Sequence, residues 1–559
     1  ASGKYDDNGY ADQDIVDKYE ALGDSSLRVG DYIIFNWTNR SGGYFGEYPN
    51  LSYPNQIKIM SGYYRQMTFN LDNAVGNSTQ QPIIITNWLG QVEYRDKLAL
   101  TKCNACRLTG EYDPKKRTGN KYFNASIHEP FKYRRFGIFR DAKSTQNNSG
   151  IATLGSGMTK IEVDHLEIMG GGYDGLNFKD DNAGGGIVDS CYIHDNYVHD
   201  IKNEGLYMGN TKSIGTHGPQ QHYTNVVVEN NIFIRCGSEG YQFQRGIANN
   251  IYRNNVIWSG MVWLMPFQNN QFSNQQAAWT NGGHTHRDEI FMGGTGANST
   301  LIKPRLGEVS PYSQDTNSVR NSLYYCLRGS AGFYMNGGNN GFAPTTLDSI
   351  YIGHTRLNYP IINSQWDPNK TTNAIFIENW NSPIRIGWIF RDFSVTNATN
   401  GNFSASNPVQ QNIPAPKFED AFGLSSLSPG LPSASLRVDS IHKWHRWTDR
   451  IWANTSNGGY LKTIGFNVGD PMIFVPGDVV QHWAAVPDRW GGATPVRLYY
   501  CIQQHNATNV EPGVSAGWEN YWQVLTWTKP DGSTTFFPPD DFDLVNGSFY
   551  DQRGMGLKQ

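Results

Sequence analysis

Charge is scarce in this chain: of 559 residues only 17% are Asp, Glu, Lys or Arg, and they leave a formal net charge of −4. That balance provides no basic footprint for a phosphate backbone, which argues against a nucleic-acid partner. No apolar run reaches the length needed to span a bilayer, so no transmembrane segment is expected. Six cysteines are too few for a disulfide scaffold. Cys103-Asn104-Ala105-Cys106 is spaced for a small loop disulfide, and the second cysteine pair of a zinc site is missing. Helical spacing is also rare. One stretch, Asp12 to Leu22 with Asp12 as N-cap, fits a helix that would cover the open end of a stack of strands. The opening Ala1-Ser2-Gly3, without Met, fits a processed exported chain and an extracellular or cell-surface location. What is abundant is Gly (60), Tyr (31) and Trp (16), a mixture that suits a turn-rich β protein with aromatic surfaces.

Val163–Lys179, Ile193–Gly209 and Val228–Gln244 align as stacked rows. Asp174-Gly175, Glu204-Gly205 and Glu239-Gly240 then share a column, 30 and 35 residues apart. Each pair opens an alternating run: Leu176-Asn177-Phe178, Leu206-Tyr207-Met208 and Tyr241-Gln242-Phe243. A second column holds Leu166, Asn196, Asn231 and Asn255. Strand-built periods of this size indicate a solenoid whose rows bury their apolar sides against one another. Stacked asparagines can hydrogen-bond along the column, which offsets the burial of their amides.

Around these rows the spacing predicts an N-terminal cap over residues 1–30 and a solenoid over 31–406. Early strands fall at Tyr32–Asn36, Gln56–Ser61 and Pro82–Thr86. Long loop excursions are expected near 100–150 and 266–320, with rows resuming at Ser322–Cys326. A Pro- and Ser-rich linker follows over 407–435, then a compact aromatic-rich module over 436–559.

The Asn column and phrases such as Tyr192-Ile193-His194-Asp195-Asn196-Tyr197-Val198-His199-Asp200 resemble the right-handed parallel β-helix, pectate-lyase-like superfamily of secreted bacterial carbohydrate-active proteins. The resemblance implies an all-β parallel β-helix and a polysaccharide partner. It leaves the reaction open among lyase, hydrolase, epimerase and catalytically silent binder. In the tail, Gly477-Asp478-Val479-Val480, Tyr499-Tyr500-Cys501-Ile502-Gln503-Gln504-His505 and Tyr521-Trp522-Gln523-Val524-Leu525 resemble chitin-binding modules of families 5 and 12. That likeness implies sugar stacking by Trp490, Trp518, Tyr521 and Trp522; the alternative is that these rings form the small domain's core.

Candidate chemistry lies in several places. The carboxylates of Asp174, Glu204 and Glu239 suit acid–base work on a glycan, or Ca2+ binding, or a scaffold role in which each accepts hydrogen bonds in its turn. His284, His286 and Asp288 would share one face of a strand, a set fit for a metal or for proton transfer, or a plain polar loop. A β-helix lyase needs a cation beside the carboxylate of the sugar and a base, which Lys179, His222 and Arg245 could supply. The Asn-Thr-Asp and Gly-His-Gly signatures of polygalacturonase-type hydrolases are absent. Alternation sends His194 and His199 to different faces, favouring structural roles. Tyr207, Tyr241, Trp258, Trp263 and Phe267 lie along successive rows, as a sugar platform if they face outward and as core if inward. The leading expectation is an extracellular polysaccharide-binding protein that cleaves its ligand, lyase ahead of hydrolase. The alternative is a non-catalytic adhesin or structural β-helix that binds glycans or self-associates; a tail-spike architecture would require a trimer.

Overall fold

Strands of three to five residues cannot bury an apolar face alone, so the rows gain stability only by stacking in parallel. The computed structural model shows this solution: an all-β chain built on a 22-stranded parallel sheet that winds as a right-handed parallel β-helix. The structure describes residues 32–35, 44–49, 56–64, 67–94, 97–110, 137–142, 158–170, 174–178, 187–199, 204–208, 222–236, 240–243, 246–259, 278–279, 284–292, 317–325, 331–335, 345–353, 359–363, 375–377, 409–410, 416–420, 444–446, 473–474, 479–482, 497–506, 512–513, 515–528, 534–535 and 541–558, with isolated residues 201, 476, 510 and 532. The cap over 1–30 and its helix lie outside the described residues.

Each central row has four short faces in chain order. The first stacks Ile187–Asp189 on His222–Thr224 and Gly246–Ala248. The second stacks Thr159–Asp164, Tyr192–His194, Val227–Glu229 and Asn250–Arg253. The third stacks Leu166–Gly170, Tyr197–His199, Ile232–Cys236 and Val256–Ser259. The fourth stacks Leu176–Phe178, Leu206–Met208 and Tyr241–Phe243. Alternation points Val163, Ile193 and Val228 inward on the second face and Ile168, Val198 and Phe233 on the third, all inaccessible to solvent.

The corner between the second and third faces needs a left-handed residue in every row. His165, Asp195, Asn230, Asn254, Asp288 and Asn321 take φ values of 42 to 59°. Asn and Asp tolerate this region better than other residues with a side chain, which explains their recurrence. The next residue turns inward and builds the ladder. Asn196 Oδ1 accepts from Leu166 N at 3.1 Å, Asn231 Oδ1 from Asn196 N at 3.0 Å, and Asn255 Oδ1 from Asn231 N at 2.9 Å. The ladder continues beyond asparagine: Asn255 Nδ2 donates to Glu289 Oε1 at 2.8 Å, and Glu289 N reaches Ser322 Oγ at 3.4 Å.

Several expectations are corrected. Asn104–Thr109 and Ile138–Ala142 belong to the parallel sheet, so the interval near 100–150 is not all loop. His284–Arg287 and Ile290–Met292 keep the rows going inside 266–320. Within the 407–435 linker, Val409–Gln410 adds to the parallel sheet and Phe418–Asp420 pairs antiparallel with Asp541–Leu544. Cys103 and Cys106 are buried thiols not joined by a disulfide; they donate to carbonyls one row away, Leu71 at 3.3 Å and Ala74 at 3.8 Å.

In the C-terminal part, Trp444–Arg446, Val479–His482, Arg497–Cys501 and Trp522–Val524 form a four-stranded sheet. The last residues leave it and lie along the solenoid corner. Asn321 donates to Arg553 O at 2.7 Å, Asn254 to Gly554 O and Gly556 O at 2.9 Å each, and Asn230 to Lys558 O at 3.1 Å. Gly556 N and Lys558 N return bonds to Asp288 O at 2.9 Å and Asn230 Oδ1 at 2.7 Å. Left-handed Gly554 and Gly556, with φ of 69 and 72°, let the tail follow the column of corners.

Candidate functional site

The second face carries the densest described cluster of titratable side chains. With Leu108, Val163, Ile193, Val228 and Tyr252 turned inward, their strand neighbours face out and stack by register: Thr109, Asp164, His194, Glu229 and Arg253 in one column, Arg107, Glu162 and Tyr192 in the next. Arg107 Nε donates to Asp164 Oδ1 at 2.9 Å and Nη2 to Oδ2 at 2.8 Å, while Nε lies 3.3 Å from Glu162 Oε1. Thr109 Oγ1 and His165 Nδ1 also reach Asp164 Oδ2, at 2.7 and 2.5 Å. His194 uses both nitrogens, Nε2 on Glu162 at 3.0 Å and Nδ1 on Asp195 at 2.8 Å. Asn230 donates to the other Asp195 oxygen. Tyr192 stacks on His194 with centroids 3.9 Å apart, and its hydroxyl donates to Glu229 at 3.1 Å. Arg253 donates to the same Glu229 oxygen at 2.8 Å.

Burial and charge oppose one another here. Burial disfavours the imidazolium of His194, but hydrogen bonds to Asp195 and Glu162 and the charge of Asp164 outweigh it, raising its pKa from 6.5 to about 9. Burial likewise works against the Asp164 carboxylate, yet Arg107 and His165 hold its pKa well below the usual range. Asp195 is lowered too, against its burial, chiefly by the hydrogen bond to His194. Burial and the nearby Glu229 charge push the Tyr192 phenol up, so it stays a neutral donor.

Glu162, Asp164 and His194 bring three potential metal-ligand atoms within 4.8 Å of one another. The set does not fit Ca2+, which takes six to eight oxygen donors rather than imidazole. The Arg107 guanidinium already occupies both carboxylates, and the His194 proton would have to leave. A two-carboxylate hydrolase site does not fit either, because Asp164 is wholly inaccessible. What the cluster offers is an aromatic ring, 36% exposed on Tyr192, set among fixed ionic hydrogen-bonding groups.

The residues singled out by sequence separate. Tyr241 faces inward, fully buried, its hydroxyl donating to Glu289 at 2.6 Å, so it is not a sugar platform. His286 is also interior, with Nδ1 3.0 Å from Glu289. Asp288 sits at the left-handed corner and accepts from Asn321 at 2.8 Å outside. The corner breaks the alternation, so His286 and Asp288 do not share a face as expected for a metal set. His284 opens the strand opposite Asn250, His222 lies on the first face opposite Ile187, and Trp258 lies on the third between Ile234 and Met292. Lys179, Glu239, Arg245, Trp263 and Trp490 lie outside the described residues.

On the fourth face Leu206 and Met208 point inward and Tyr207 outward, yet Tyr207 and Asn177 are only 5% and 3% exposed. Asp174 accepts from Asn177 Nδ2 at 2.6 Å. The glycine after each acid has a packing reason: a Cβ on Gly175 would run into Val198 and Gly205 O, and one on Gly205 into Gly240 O. Asp174 thus serves its own turn, accepting from a side-chain amide three residues on. In the C-terminal sheet Trp522 is core, its Nε1 bonded to Val510 O at 3.1 Å, which corrects its assignment to sugar stacking. Trp518 and Tyr521 pack against that core and remain partly exposed.

The sequence reading missed Arg107, Glu162, Asp164, Tyr192, Glu229 and Arg253 as a group. The signal was present: carrying the stacked rows back to residue 159 aligns Glu162 with Tyr192 and Asp164 with His194.

No family model matches the sequence, and no curated protein was found similar to it. Solved structures with a similar scaffold include an alginate lyase from Paenibacillus sp. strain FPU-7, 13% identical over 58% of this chain and 99% of that one, TM-score 0.32. Pectate lyase Pel9A is 10% identical over 57% and 70%, TM-score 0.31. The tailspike receptor-binding domain of siphovirus 9NA is 9% identical over 94% and 97%, TM-score 0.29. These are likenesses of scaffold alone.

Proposed function

We propose that this protein is an extracellular polysaccharide-binding protein that holds a glycan against the outer surface of its β-helix and cleaves it as a lyase. The observation that carries the binding reading is Tyr192, a ring fixed from behind by His194 and flanked by Glu162, Glu229 and Arg253. Sugars present apolar C–H faces and hydroxyl edges, so a half-exposed ring with fixed donors and acceptors matches both at once. Elimination next to a sugar carboxylate requires a base and a cation, and Lys179, His222 and Arg245 are its candidates from sequence. Trp518 and Tyr521 give the C-terminal module a second sugar contact.

A panel of uronate-containing, neutral and chitinous glycans tests both parts. Unsaturated sugars absorbing in the ultraviolet report a lyase, and reducing ends without that absorbance report a hydrolase. Retention without either product leaves a binder or adhesin. No retention on any glycan would remove the proposal.

A further inference from the structure

The column that contains His194 and Glu229 continues upward as arginine. Arg253 is followed in register by Arg287 and Arg320, and Asp348 occupies the next position. Their inward neighbours Tyr252, His286 and Val319 are buried, so all three arginines face out. Adjacent rows lie about 4.8 Å apart, a spacing at which like charges repel. Arg253 is relieved by Glu229 at 2.8 Å. The nearest acid to Arg287 along the chain, Asp288, is engaged by Asn321. Among the described residues no hydrogen bond or ion pair engages the side chain of Arg287 or Arg320; Arg287 is partly exposed and Arg320 exposed. Two stacked guanidiniums with no partner among the described residues, in a chain of negative net charge, form a site for anions below Asp348, since planar forks bind carboxylate or sulfate with two bonds each.

Resting on the polysaccharide reading, we propose that Arg287 and Arg320 are an anion-recognition column that takes the acidic groups of a polysaccharide lying along the solenoid axis. Tyr192 contacts the same chain four rows below Arg320, about 19 Å away at that row spacing. The acidic lower half of the column does not compete, because Asp164 is covered by Arg107 and Glu229 by Arg253. This track is on the second face, separate from the fourth-face strands beside which Lys179 and Arg245 fall.

The test uses the full chain in affinity electrophoresis through gels carrying a polyuronate, a sulfated glycan or a neutral glycan of similar length. The wild type should be retarded by an acidic gel more than by the neutral one, and increasingly so at low salt. Arg287→Gln with Arg320→Gln should weaken acidic retention about tenfold, equivalent to about 1.4 kcal/mol for two exposed ion pairs. Lys102→Gln with Lys417→Gln, the same charge change at exposed sites outside the second-face strands, should leave it unaltered. Melting curves confirm that both variants fold. Whether polyuronate or sulfated glycan binds tighter identifies the acidic group. Equal retention of wild type and the arginine variant, or equal loss in the lysine control, overturns the column while leaving glycan binding intact. Binding to neutral glycans alone does the same. No retention on any gel overturns the column and the polysaccharide reading together.

Discussion

Replacing His194 with Gln should remove a stabilisation that depends on pH in a defined direction. The folded protein raises the His194 pKa from 6.5 to about 9, so it binds that proton more tightly than the unfolded chain does. The stabilisation is therefore complete below pH 6.5, declines as pH rises, and is gone above the folded value. A shift of that size corresponds to a stabilisation on the order of 3 kcal/mol. The side chain is only 10% exposed, so solvent screening removes little of it. Thermal melts of wild type and His194→Gln across this range, with the difference in stability plotted against pH, isolate the contribution. The wild-type advantage should shrink steadily between neutral pH and pH 9. Parallel curves, or an imidazole that titrates near its ordinary value by NMR, would refute the ion-network reading of Glu162, His194 and Asp195.

Asp164 is linked to pH in the opposite sense: its stabilisation is present above its ordinary 3.8 and lost as pH falls towards its lowered folded value. Asp164→Asn should therefore lose its deficit relative to wild type in acid melts. Asn231→Ala removes the acceptor of two Asn196 bonds and the donor to Ile193 O, Glu229 O and Asn255 at full burial. It should destabilise the central rows by about 3–5 kcal/mol, read by chemical denaturation. Asn254→Ala gives up two bonds to the tail. It should raise hydrogen exchange over 550–558 while leaving the 192–194 strand protected.

The columns Asn196–Asn231–Asn255 and Gly175–Gly205–Gly240 were legible because identical residues recur wherever a corner or a close approach admits few alternatives. The direction of individual side chains was not. Tyr241 and Tyr207 both occupy fourth-face strands, but Tyr241 takes the inward position of Leu206, and only the register decides that. The left-handed corner at Asp288 separates it from His286, a break that strict alternation over 284–288 overlooks. Glu289 replaces Asn in the ladder and is recognisable only from the asparagine that bonds to it. The Arg107–Asp164 pair joins residues 57 apart in rows with little resemblance to one another. The tail showed no recurrence in sequence, since it docks once, through backbone carbonyls, two left-handed glycines and the buried side chains of Tyr550, Met555 and Leu557.

Hydrogen exchange of the full chain, with and without a saturating acidic polysaccharide, tests the central claim most directly. Second-face binding predicts added protection at Tyr192–His194, His284–Arg287 and Asn317–Tyr325, with Ile138–Ala142 unchanged. Protection confined to the C-terminal strands Arg497–Cys501 and Trp522–Val524, or no change anywhere on the solenoid, would contradict it.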